Sequence, residues 1–82
     1  MAAEHSALSG FQQLHATADY IAKLQRPNGA IPWFDGGITD PWDHIEAMMG
    51  LTVHGHWSGA VAGLQWLAER QRSDGAWYAA YN

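Results

Sequence analysis

"LQRPNGAIPW", residues 24–33, reads as a helix end running into a tight turn, and "RQRSDGAW", residues 70–77, does the same forty-six residues later. Setting Gln25 on Gln71 places Arg26 on Arg72, Asn28 on Asp74, Gly29 on Gly75 and Ala30 on Ala76. Upstream, Tyr20 falls on Trp66, Ile21 on Leu67 and Ala22 on Ala68. A repeat of this length with matched helix ends predicts helical hairpins, which gain stability by stacking on one another. The expected fold is all-α, one domain over residues 1–82, with repeat copies at about 6–52 and 53–82.

Apolar spacing predicts three helices. The first runs from Ser6 to Arg26 with Phe11, Leu14, Ala18, Ile21 and Ala22 on its buried face. The third runs from Ser58 to Arg72 with Ala60, Leu64, Leu67 and Ala68 buried. Between them Asp40 is a good N-cap and Pro41 suits the first helical position, so a helix is expected to run to Val53. Apolar or small residues surround that middle helix, which predicts burial on all sides.

Gln25 lies four residues after Ile21, and Gln71 four after Leu67, which puts each amide on an apolar stripe. A buried amide is costly unless bonded. Each glutamine is therefore expected to join its own helix end to a neighbouring helix, while Gly29 and Gly75 supply a turn needing positive φ.

Five Trp, three Tyr and two Phe in a chain that is 48% hydrophobic exclude a disordered tail. The net charge of −4 and the scattered bases Lys23, Arg26, Arg70 and Arg72 offer no stripe for phosphates, so no nucleic-acid partner is expected. Without cysteine there is no disulfide or thiolate chemistry in these residues. "MAAEHSALSG" lacks the pattern of a signal peptide, and no stretch is long and apolar enough to span a membrane. A cytoplasmic protein, or one peripheral to a membrane, is expected. The aromatic C-terminal stretch "DGAWYAAYN", with Trp57, Trp66, Trp77 and Tyr81 uncovered, suggests a cut edge.

"LQWLAERQRSDGAW", residues 64–77, resembles the QW motif of the squalene-hopene cyclase and prenyltransferase repeat superfamily, whose members are α/α toroids. Gln71, Gly75 and Trp77 fit it fully. The first copy keeps Gln25 and Gly29 but has Ile31 where the tryptophan falls, with Trp33 two positions on. The resemblance covers about residues 11–78 and implies a ring of about five to seven hairpins, of which this chain would be an N-terminal fragment whose partners are the remaining repeats. It implies a hydrophobic or isoprenoid substrate in an aromatic cavity. The Asp-x-Asp-Asp acid of the cyclases and the Asp, Cys and His zinc site of protein prenyltransferases have no match here, so the cofactor is left unknown, with a divalent metal as one option.

In such toroids inner helices aim their N-termini at the cavity mouth, which makes "DPWDHIE", residues 40–46, the candidate site. Asp43 and Glu46 lie three apart on one helical side, a spacing that suits a shared proton or divalent cation, and they are the candidate catalytic residues. Paired carboxylates also serve glycoside hydrolysis. Trp33, Trp42 and His44 are the candidate substrate-binding residues, with Phe34 and Trp57 as further aromatics; a core role is the competing account for each. His54 and His56 lack an evident third ligand, and His5 and His15 read as surface residues. The leading expectation is an isoprenoid-processing toroid. A glycan-processing toroid using Asp43 or Glu46, and a noncatalytic repeat scaffold, stand as alternatives.

Overall fold

A computed structural model of the 82-residue chain describes the backbone from Ala2 to Asn82 and the side chains from Gln12 onward. The architecture is all-α: α1 (Ala2–Leu24), α2 (Pro41–Val53) and α3 (Trp57–Arg70), with α1 packed on α2 and α2 on α3. Among the described residues none of these helices is long and apolar enough to cross a membrane. Phe11 and His5 lie outside the residues whose side chains are described.

Helix α2 begins and ends where its sequence says it should. The Asp40 carboxylate accepts the Trp42 N–H at 2.8 Å and the Asp43 N–H at 3.4 Å, satisfying two donors that the first turn leaves open. Helix α1 starts four residues earlier than expected, since Ala2, Ala3 and Glu4 are strong helix formers. It stops at Leu24 rather than Arg26, because Pro27 disfavours helical geometry in the residue before it.

The core is small. Ala18, Ala30, Ile31, Leu51, Trp66 and Leu67 form its apolar part, and Thr39 and His44 are buried with them. Three expected faces need correction. On α1, Ala18 is buried as expected but Leu14 is exposed. On α3 the buried residues are Gly63, Trp66 and Leu67, while Leu64 is exposed, so the helix is turned from the face its apolar spacing suggests. The reason is close approach: a Cβ at Gly63 would lie 2.7 Å from Met48 Cγ and 3.3 Å from His44 Nε2, so α3 presents its glycines rather than Leu64 to α2. On α2, Leu51 and His44 are buried, but Trp42, Ile45, Met49 and Val53 are exposed, so the helix is covered on one side only.

Trp66, expected at an uncovered edge, is 1% exposed. The segment after α3 turns back and pairs with the residue before the N-cap of α2: Thr39 N–H donates to Tyr81 O and Tyr81 N–H to Thr39 O, both at 2.8 Å. Tyr81 then meets Trp66 edge-on at 5.2 Å, and the Arg70 guanidinium lies 4.9 Å from the ring centre. Trp77 is half-buried and donates its indole N–H to Leu67 O at 2.8 Å. Tyr20, the repeat counterpart of Trp66, has no such cover and is exposed.

The two turns match bond for bond. Arg26 N–H to Ala30 O and Arg72 N–H to Ala76 O both measure 2.8 Å. Asn28 and Asp74 each accept the amide two residues on at 3.0 Å. Gln25 and Gln71 each donate to the glycine carbonyl four residues on at 2.9 Å, and φ is 94° at Gly29 and 87° at Gly75. Gln25 alone reaches further, donating to Gly59 O of α3 at 2.8 Å.

Candidate functional site

The N-terminal turns of α2 and the loop before them bring most of the candidate residues together. Residues 33–38 form a tight loop closed by Trp33 N–H to Ile38 O and Gly37 N–H to Phe34 O. The Arg26 guanidinium donates to the Gly37 carbonyl, tying this loop to the first turn of the repeat. Sequence reasoning passed over that role of Arg26, because its partner is a backbone carbonyl with no signature.

Asp43 and Glu46 are both solvent-exposed, and each accepts an indole N–H. Trp33 Nε1 donates to Asp43 Oδ2 at 2.5 Å, and Trp42 Nε1 donates to Glu46 Oε1 at 3.1 Å. Asp43 occupies the third helical position, where an acid often turns back to the N-cap, yet its carboxylate faces the loop instead. Each carboxylate therefore has a flat apolar surface anchored beside it. A polar group flanked by an aromatic face is the usual furniture of a sugar site, where ring C–H faces stack and hydroxyls bond.

Trp33 and Trp42 open onto different grooves. One, of about 350 Å³, is lined by Trp33, Phe34, Ile38 and Arg26. The other, of about 400 Å³, is lined by Asp40, Trp42, Trp77 and Tyr78. Tyr78 was not a candidate from sequence; the Arg72 guanidinium, 4.7 Å from its ring centre, packs against it. A third groove, of about 330 Å³, lies along Ile45, Met48, Met49 and Val53. Trp33, Phe34, Trp42 and Trp57 are all exposed, so the core account of these aromatics gives way.

His44 does not join this surface. It is fully buried, with its ring 4.7 Å from that of Trp66. Its Nδ1 accepts the Ile31 N–H at 3.1 Å, which fixes the proton on Nε2, and Nε2 donates to Gly63 O at 2.9 Å. Burial lowers its pKa from the usual 6.5, and the bond to Gly63 opposes that only in part. The expectation that His44 binds substrate is corrected: both ring nitrogens are used inside the protein, joining the first turn, α2 and α3.

His15, His54 and His56 gather where α1 meets the α2–α3 loop. His15 Nδ1 and His54 Nδ1 are 3.0 Å apart, and His56 Nε2 lies 2.7 Å from Asp19 Oδ1. Among the described residues no three His, Cys, Asp or Glu side chains are grouped so as to hold a metal ion.

No family model matches the chain. It is 52% identical over 66 residues to a protein of Mycolicibacterium hassiacum named MMP endo-(1,4)-3-O-methyl-alpha-D-mannosidase. The match takes in 80% of this chain and 18% of that protein, so the chain spans less than a fifth of its relative's length. A 66-residue stretch of an 82-residue chain necessarily includes residues 17–66, and with them Trp33 and the whole of 40–46.

Proposed function

We propose that this chain is part of a glycan-processing α/α toroid that cleaves α-(1,4) links between 3-O-methylated mannose units. The observation that carries this reading is the 52% identity to a protein of that name across the span holding the carboxylates and their tryptophans. The matched turns support the toroid part, since they repeat one turn geometry at a fixed interval. The substrate chemistry fits the surface. A methyl ether replaces a hydroxyl by an apolar group, and such a sugar gains more than a plain one from lying on the exposed faces of Trp33 and Trp42.

Hydrolysis of a glycosidic link needs two carboxyl groups: one protonates the leaving oxygen as its bond to the anomeric carbon breaks, and the other activates water or attacks that carbon. Asp43 and Glu46 are the carboxylates this segment contributes. Their indole partners hold them beside the sugar-stacking faces without removing them from solvent.

Titration of the chain with a 3-O-methylmannose oligosaccharide, read by tryptophan fluorescence, tests the binding half of the reading. Saturable change is expected, weakened roughly tenfold by Trp42→Ala or Trp33→Ala, the loss that one stacking face gives. An identical response to a glucose oligosaccharide would contradict it. A second reading, the isoprenoid-processing toroid, draws on the apolar groove of Ile45, Met48, Met49 and Val53 and on the turn motif alone.

A further inference from the structure

The two turns differ in where they send their arginine. In the second, Arg72 stays within its own turn: its guanidinium lies 3.3 Å from the Asp74 carboxylate and 4.7 Å from the centre of the Tyr78 ring. Forty-six residues earlier the counterparts of those two partners are Asn28 and Pro32, a neutral amide and a residue with no aromatic face. Asn28 still makes the bond that shapes the turn, accepting the Ala30 N–H at 3.0 Å as Asp74 accepts that of Ala76. It offers Arg26 no charge, and the half-buried guanidinium reaches eleven residues on to the Gly37 carbonyl instead.

Gly37 is the hub of the loop that carries Trp33. Its N–H donates to Phe34 O at 2.8 Å, Trp33 N–H donates to Ile38 O at 2.9 Å, and a Cβ on Gly37 would lie 3.1 Å from atoms of the Phe34 ring. Holding the Gly37 carbonyl therefore holds the whole of residues 33–38. From that loop the Trp33 indole donates to Asp43 Oδ2 at 2.5 Å, and among the described residues no other side chain holds that carboxylate. An exposed carboxylate on a helix otherwise turns among its rotamers. One that takes part in chemistry has to be aimed to within a fraction of an ångström.

We propose that Arg26 is a positioning residue for Asp43, acting through Gly37 and Trp33, and that the neutral Asn28 leaves Arg26 available for this contact. The effect on rate rests on the reading of Asp43 as an acid or base of glycan cleavage; the chain of contacts does not. A single change reroutes it. Asn28→Asp gives the first turn the carboxylate of the second, draws Arg26 back into its own turn and releases the loop, while the turn itself keeps its shape.

The test follows the Trp33 indole N–H of the 82-residue chain by NMR, its signal identified with Trp33→Phe and its unbonded position read from Asp43→Ala. Asn28→Asp and Arg26→Ala should each move the signal toward that unbonded position, and Asn28→Asp should add nothing in the Arg26→Ala background. Arg72→Ala, the matching change in the second turn, should leave it in place. A signal that stays put in Asn28→Asp, or that Arg72→Ala moves as far, overturns the inference. Should Arg26→Ala fail to fold, Asn28→Asp still decides, since Asp74 shows that this turn accepts an aspartate. The rate is read in the Mycolicibacterium hassiacum protein carrying this chain in place of its matching segment. There Asn28→Asp should lower kcat roughly 10- to 100-fold and add nothing to Asp43→Asn. A moved indole signal with undiminished kcat in Asp43→Asn upholds the positioning and sinks the glycan reading alone. A kcat lowered by Asp43→Asn but untouched by Asn28→Asp overturns the inference.

Discussion

His44 and Gly63 are joined at 2.9 Å across the α2–α3 interface, with the imidazole N–H donating to the glycine carbonyl. The other ring nitrogen holds the Ile31 amide, so one neutral side chain fastens three segments. His44→Ala opens a cavity and strands both backbone partners; a loss of about 2–5 kcal/mol in denaturant unfolding is expected.

The same geometry sets a pH dependence. The folded pKa of His44 lies below its unfolded value, so the unfolded chain binds the extra proton first. Stability from this residue is fully present above about pH 6.5 and is lost as pH falls from there through the folded pKa, with no further loss below it. Urea melts between pH 7.5 and 5 should show this decline. His44→Gln should flatten it; an unchanged slope in that variant would show that His44 is not its source.

Gln25 and Gln71 occupy equivalent turns but carry unequal loads. Gln25→Ala in the 82-residue chain removes two part-buried bonds and leaves Gly59 O and Gly29 O to find other donors; about 1–3 kcal/mol should be lost. Gln71→Ala removes one exposed bond and should cost less than about 1 kcal/mol. Equal losses in thermal or urea melts would show that the contact to α3 contributes nothing.

Glycine substitutions separate conformational strain from contact. Gly75→Ala forces a residue with a Cβ into positive φ, at a cost of about 1–2 kcal/mol. Gly29→Ala carries the same strain and also drives the new methyl into the Ala62 carbonyl, so it should be clearly worse and near the limit of what the chain tolerates. The order of the two Tm values is the measurement.

Thr39 is fully buried, and its hydroxyl finds no hydrogen-bond partner among the described residues, although its backbone is paired with Tyr81 on both sides. Thr39→Val keeps the branched shape and removes the orphaned oxygen. A gain of up to about 1 kcal/mol is expected. A loss of stability would mean that the hydroxyl is satisfied in solution.

Local signals were the legible ones. Asp40 and Pro41 state the start of α2 through capping chemistry, and the Gln-to-Gly spacing states both turns, since each of these bonds spans four residues or fewer. Burial was harder to read where it depends on distant partners. Trp66 is covered because Tyr81 pairs with Thr39, forty-two residues away, and no periodicity encodes that return. The orientation of α3 was misjudged because apolar spacing counts Leu64 and gives no weight to glycine, whereas packing here is governed by how closely Gly59 and Gly63 let other groups approach. In the candidate site the acids and aromatics were named from sequence, but their pairing, Trp33 with Asp43 and Trp42 with Glu46, needs the loop geometry.

The central claim is that the α2 N-terminus contributes carboxylates to glycan cleavage. The most direct measurement replaces the matching segment of the Mycolicibacterium hassiacum protein with this chain and assays release of fragments from an α-(1,4)-linked 3-O-methylmannose polymer. The chimera should turn over the polymer. Asp43→Asn and Glu46→Gln within it should each lower kcat by about 100-fold or more while leaving Tm within about 1 kcal/mol equivalent, because both side chains are exposed and their indole partners still find an oxygen acceptor. Turnover at the chimera's own rate in both variants would contradict the claim and leave this helix as architecture.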